Sequence, residues 1–333
     1  MSTRIQHYLR TTRWLKAESS VSVSPDCTIC AYTEEQARRT AELVRKRNPA
    51  ARISGPSDFY YQRAEGLGGR TVVEVKKTGQ RGHGLSDERL SELARLAEVV
   101  VAASLLLQGD RSTFLRRSVG VQNEIFDLHI TERARDRSVS STSQPEKEPT
   151  GLIVDDTAER RFNKNGFRDL YHVSTTDTKL STRLRRCLDW LIQSRTDKSE
   201  SSALVKTSTA LETLVVIGRE PTRRALSERG AYILSDDPEE RREISRAIKK
   251  FYSKRGDIVH GKGVEEEGDI SRILEFGDRL AVLIGLVLSA NSDRWKNADD
   301  VRRYCDAIRW GGDRTCTRPW SKTYLNAALN RLP

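Results

Sequence analysis

Ten consecutive residues, Ala281 to Ala290 (AVLIGLVLSA), carry no charge. A bilayer span needs about 20 apolar residues, so this run is half the length required. It reads instead as a helix buried on all sides, which other helices must surround. The flanking sequence supplies them. From Lys179 onward the apolar spacing is helical, with Leu180, Leu184, Cys187, Leu188 and Leu191 on one face and a second helix over Ala203 to Val216. Ala225 to Leu234 gives a shorter third, Pro238 opens a fourth in its first turn, and Asp269 caps a fifth that runs from Ile270 to Leu288. Gly263 to Gly268, with three glutamates, reads as an exposed loop between the last two. Short connections between five helices give a bundle, followed by a helix around Ala298 to Ile308 and a tail holding Trp310 and Trp320.

The fourth helix carries an anomaly. Its apolar stripe of Ile244, Ile248, Phe251 and Tyr252 continues into Arg255, and His260 follows within AIKKFYSKRGDIVHGKG. A guanidinium keeps its charge and is rarely buried alone, so Arg255 needs a partner, a cleft or a second chain. Five residues turn a straight helix through about 140° from one side chain to the other. Gly256 lies between the two residues and permits a bend or a helix end there. With that bend, Arg255 swings toward the imidazole of His260.

The segment Tyr252 to Gly261 (YSKRGDIVHG) follows Ala210-Leu211-Glu212 by some forty residues and precedes the apolar helix from Ile270 to Leu288. In this order of features the chain resembles the HEPN superfamily, and most closely its ApeA-like branch, over roughly residues 180 to 290. The resemblance implies an all-α bundle with an Arg-x4-6-His motif, here Arg255 and His260. It implies metal-independent endoribonuclease activity from two motifs paired across a homodimer. Glu212, in the place of the family's Leu-Glu helix, would orient or neutralise Arg255. Many members carry a polar residue directly after the Arg; here Gly256 stands there and Asp257 comes one later. Asp257 and Tyr252 join Glu212 as supporting candidates.

The chemistry of such a pair is self-consistent. RNA brings its own nucleophile, the 2′-hydroxyl, so the protein needs neither a nucleophile nor a cofactor or metal. It needs a group that exchanges protons near neutrality, which histidine supplies, and a cation for the charge that builds on phosphorus, which arginine supplies. The products would be a 2′,3′-cyclic phosphate and a 5′-hydroxyl. Arg242, Arg246, Lys249, Lys250 and Lys254 spread along the non-apolar face of the same helix. With Lys262 beyond it, Arg246, Lys250 and Lys254 are the expected contacts to an RNA backbone. The alternative is a non-catalytic HEPN module that binds nucleotide, RNA or a partner protein.

The net charge of +11 favours a polyanionic partner. Most of the excess lies outside the bundle: residues 1–130 hold 20 basic and 15 acidic side chains, 151–292 hold 25 and 23, and 293–333 hold 9 and 5. Residues 1–130 read as a mixed α/β domain in a sensing or restraining role. It has a strand region over Ser22 to Ala31, a helix over Glu34 to Lys46 capped by Thr33, a strand over Arg70 to Val75 and a helix over Leu85 to Leu107. Residues 131–151 (TERARDRSVSSTSQPEKEPTG) are rich in Ser, Thr, Glu and Pro and read as a flexible linker. The expected fold class is therefore α+β: a mixed N-terminal domain, the linker, an all-α HEPN-like bundle over 152–292 and a helical extension over 293–333.

Cys27 and Cys30 have half the spacing of a zinc site, but the other cysteines stand alone at 187, 305 and 316. An odd number of cysteines without a scaffold pattern fits a reducing compartment. No charged n-region followed by an apolar h-region opens the chain. A cytoplasmic protein with no membrane contact is expected, a defence or toxin effector with RNA, a second copy of itself and a regulatory partner protein as its associates.

Overall fold

Thr33 fixes the first junction between strand and helix. Its Oγ1 accepts from the backbone N–H of Gln36 at 3.1 Å while Gln36 Oε1 accepts from the N–H of Thr33 at 2.8 Å, a reciprocal cap on helix α1 (Glu34–Arg47). The computed structural model describes residues 4–12, 15–47, 62, 64–79, 85–107, 122–132, 137–147, 152–197, 199–259, 267–312 and 315–332. The fold is α+β, and the chain divides into two compact units, residues 1–105 with 112–161 and residues 106–111 with 162–333.

In the first unit six strands form one antiparallel sheet: β1 (Arg4–Thr11), β3 (Val21–Ser24), β4 (Cys27–Ala31), β5 (Thr71–Gly79), β6 (Gln122–Glu132) and β7 (Arg137–Lys147), in the order β3-β4-β5-β1-β6-β7. Leu9 and Val72 face α1, where they pack with Ala37, Ala41, Val44 and Leu67. On the opposite face of β1, Gln6 exchanges two hydrogen bonds with the backbone of Leu85, and Arg10 donates to Ser91 at 3.3 Å. Those two contacts seat the start of α2 (Asp87–Leu106), whose first N–H groups meet Ser86 Oγ, the acceptor from Arg89. Gly69, at φ 72°, closes the turn before β5 by donating to the carbonyl of Tyr32.

The linker expected over 131–151 is corrected by strand β7, which pairs with β6 from Glu132–Arg137 to Gln122–Lys147. Its Ser- and Thr-rich composition offers little apolar surface, but an edge strand needs only its backbone paired on one side. Such an edge also tolerates Pro145, which has no N–H to offer. The expected boundary at 151 moves for the same kind of reason. Strand β8 (Leu152–Val154) pairs in parallel with β2 (Leu15–Ala17), so the first unit keeps the chain until residue 161.

The second unit is helical: α3 (Ala158–Lys164) straddles its start, then come α4 (Phe167–Ser174), α5 (Lys179–Arg195), α6 (Glu200–Val215), α7 (Thr222–Leu234), α8 (Pro238–Val259), α9 (Glu267–Ala290), α10 (Ala298–Arg309) and α11 (Lys322–Leu329). Helix α9 is the centre, with α4, α5, α6, α7 and α11 packed against it. Its residues from Ile273 to Val287 hold an unbroken buried course, as the apolar run requires. It begins at Glu267, two residues ahead of the expected cap at Asp269. Residues 293–333 are not a separate extension, because Trp320 donates to the carbonyl of Leu283 at 3.2 Å and Asn291 donates to that of Thr317 at 2.8 Å. Among the described residues no helix is long and apolar enough to cross a membrane.

The bundle also encloses charge. Arg195 on α5 meets Asp278 on α9 at 2.7 Å, with side chains 3% and 0% exposed. Thr207 on α6 donates to the other oxygen of Asp278 at 2.8 Å and shares a hydrogen bond with Ser194 at 2.7 Å. A buried carboxylate survives only with such partners, and together they tie three helices at one level.

Candidate functional site

Next to Asp278 the main chain of α9 is bare. A Cβ on Gly277 would lie 2.5 Å from the ring of Phe251 and 2.6 Å from Thr207. Glycine there lets α6 and α8 close onto α9, and Phe251 packs on Phe276 with ring centroids 5.9 Å apart. This contact sets the height of α8 against α6. The neighbouring Tyr252 then reaches sideways and donates its hydroxyl to Glu212 Oε1 at 2.8 Å. Burial pushes the Tyr252 phenol above its usual pKa and the hydrogen bond to Glu212 adds to the rise, while Arg255 and Thr222 pull partly back. Thr222 opens α7, so three helices contribute to the cluster.

Arg255 follows Tyr252 by one turn. Its Cζ lies 5.5 Å from the centroid of the Tyr252 ring, a cation–π contact of about 0.5–1 kcal/mol. Its Nε is buried and makes no hydrogen bond among the described residues. No carboxylate among those residues stands within ion-pair distance of it. Glu212, the expected partner, therefore acts on Arg255 through Tyr252: the carboxylate fixes the phenol and the ring carries the guanidinium. Among the described residues such a cation is positioned without being neutralised, the condition for receiving an anion.

Asp257 is not part of this cluster, since two residues rotate it about 200° from Arg255 around α8. Of the bend or helix end that Gly256 permits, the helix end does not occur there, because α8 continues through Gly256 to Val259. One glycine costs a helix interior about 1 kcal/mol, less than the packing that holds this 22-residue helix. His260 and Lys262 lie outside the described residues, as do 263–266 of the expected loop.

The same side of α8 borders a groove of about 390 Å³ along its seam with α7. Arg246 lines it with Arg241, Arg242 and Lys249, opposite Tyr232. By helical rotation Lys250 and Lys254 face away from this seam, so of the expected backbone contacts only Arg246 faces the groove. Tyr232 and Arg241 escaped the sequence reading. Arg241 shares a helix face with Ser245, four residues on, so the helical period alone could reveal it, but Tyr232 lies on another helix and only packing brings it there. A smaller cleft of about 210 Å³ between α7 and α10 holds Arg224, Arg229 and Arg309 against Glu220, Glu228 and Asp306. There Glu220 grips Arg229 through both oxygens at 2.6 Å, so its charges are largely satisfied.

Cys27 and Cys30 fall on one strand at a spacing of three, which sends them to opposite faces of the sheet. Neither is in a disulfide, and burial pushes the Cys30 thiol up to about 11. No group of three or more metal-ligating side chains occurs among the described residues. No protein-family model, no curated protein and no solved structure matches the chain.

Proposed function

We propose that the helical unit is a HEPN-type endoribonuclease that cuts RNA without a metal. The observation that carries this reading is Arg255, held over a Tyr252 ring that is itself anchored on Glu212, with a buried Nε and no neutralising carboxylate among the described residues. The Arg-x4-His spacing supplies the second group, His260. In the reaction the 2′-oxygen forms a bond to phosphorus while the bond from phosphorus to the 5′-oxygen breaks. One imidazole takes the 2′-hydroxyl proton, and a proton passes to the departing 5′-oxygen. Arg255 meets the charge on the non-bridging oxygens as they become more negative.

One histidine does not readily serve as base and acid in one step, so the reading includes a homodimer that sets two Arg255–His260 pairs about one cleft. Light scattering of the full chain should then give twice the 37.7 kDa of one copy. A strict monomer that still cuts RNA would show that one motif suffices.

The unbroken course of α8 through Gly256 favours a second reading, a non-catalytic HEPN module that binds RNA or nucleotide. Incubation of the purified chain with a mixed RNA pool in EDTA separates the two. Cutting that resists the chelator supports the enzyme, and binding without cutting supports the module.

A further inference from the structure

The groove between α7 and α8 has more positive charge than its surroundings use. Among the described residues Glu228 is the only carboxylate lining it, and that side chain is already engaged by Arg224 at 2.9 Å and Arg309 at 3.4 Å. Of the four cations, Arg241 is committed to the carbonyl of Ser235 at 2.7 Å and to Asp236 at 3.6 Å, and Arg242 pairs with Glu239 at 2.7 Å. Arg246 and Lys249 are exposed and have no ion-pair partner among the described residues. Two uncompensated cations on adjacent turns form a receptor for neighbouring phosphates. Beside them the guanidinium of Arg241 lies 5.0 Å from the centroid of the Tyr232 ring, a cation–π contact whose guanidinium is also held by its hydrogen bond to the Ser235 carbonyl.

The seam also has a direction. Helices α7 and α8 run antiparallel, so that Tyr232 meets the start of α8 while Thr222 meets Tyr252. Lys249 stands one turn before Tyr252, about 4.5 Å along the axis, on the seam side of the helix. Close approach of the two helices is secured at Gly230, where a Cβ would come within 2.7 Å of Ile248. We infer that this groove is a single-strand track: Arg246 and Lys249 bind successive phosphates of an RNA, the Arg241–Tyr232 pair receives a base, and the strand is led toward Tyr252 and Arg255. An aromatic ring and a guanidinium beside two cations one helical turn apart suit a nucleic acid, whereas an acidic peptide has no use for the ring. The inference takes the RNA reading above as its premise and adds the path of the strand.

The test uses the full chain and a fluorescent, short 2′-O-methyl oligouridine, which has no 2′-hydroxyl to attack and so reports binding whether or not the protein cuts RNA. Anisotropy is followed between about 50 and 200 mM salt. Arg246→Ala with Lys249→Ala should weaken binding about tenfold or more and reduce the slope of log K against log salt by about 1.4, or 0.7 for each lost phosphate contact. Arg38→Ala with Arg39→Ala, which removes the same charge from α1 in the other unit, should leave the slope in place. The track is refuted by a wild-type chain that does not bind the probe, by a groove variant with the wild-type slope, or by polyglutamate displacing the probe as readily as unlabelled oligouridine. Binding through the groove by a chain that never cuts unmodified RNA would uphold the track and refute the nuclease.

Discussion

On the proposed endoribonuclease reading, Arg255→Ala should lower RNA cleavage by about 10²–10³-fold, the usual effect of removing one donor that stabilises transition-state charge. The fold should survive, because the side chain is half-buried and its Nε makes no hydrogen bond among the described residues. Arg255→Lys should recover part of the loss: it keeps the charge but not the planar fork that grips two phosphate oxygens. Single-turnover cleavage of a labelled RNA, with circular dichroism of each variant, checks both points. Equal rates for wild type and Arg255→Ala would remove Arg255 from the chemistry.

The largest expected effect on stability belongs to Asp278→Ala, at about 3–5 kcal/mol. The substitution takes the carboxylate from Arg195, whose side chain is 3% exposed and cannot turn to water. It also removes the acceptor of Thr207. Exchanging both charged partners, Arg195→Met with Asp278→Leu, should restore much of the loss, since a well-packed apolar pair often matches a buried ion pair. Urea denaturation of the three proteins decides this. A double variant no more stable than Asp278→Ala would mean that packing, not the stranded charge, sets the cost.

What the sequence made legible follows from how locally each feature is determined. The stripe of Ile244, Ile248, Phe251 and Tyr252 and the apolar run of α9 are properties of single helices, and both are buried except at Tyr252 and Ala290, which are part-exposed. The Thr33 cap is equally local. Strand β1 was invisible for the opposite reason: its Gln6 and Arg10 look solvated in sequence and are buried only because Leu85 and Ser91, some eighty residues away, receive them. Strand β7 was misread because composition reports how much a segment can bury, and an edge strand is held by backbone pairing to β6. At Gly256 local propensity allows a helix end, and α8 runs on through it to Val259.

The site divides in the same way. Arg255 stood out because a charge interrupts an apolar stripe. The bond from Tyr252 to Glu212 spans forty residues, and its register depends on Gly277 admitting Phe251 and Thr207 to the surface of α9. No spacing within one helix encodes that contact. The groove is intermediate: Arg242, Arg246 and Lys249 share a stripe that the helical period reveals, while Tyr232 opposite them comes only from the fold.

The central claim is that Arg255 and His260 cut RNA by attack of its own 2′-hydroxyl, and the ends of the products test it most directly. Purified wild-type chain and His260→Ala are incubated with a labelled RNA in EDTA, and the new termini are identified. The account predicts 2′,3′-cyclic phosphate and 5′-hydroxyl ends from the wild type, undiminished by the chelator, and no cutting by the variant. Ends bearing a 5′-phosphate, or cutting that persists in His260→Ala, would contradict it.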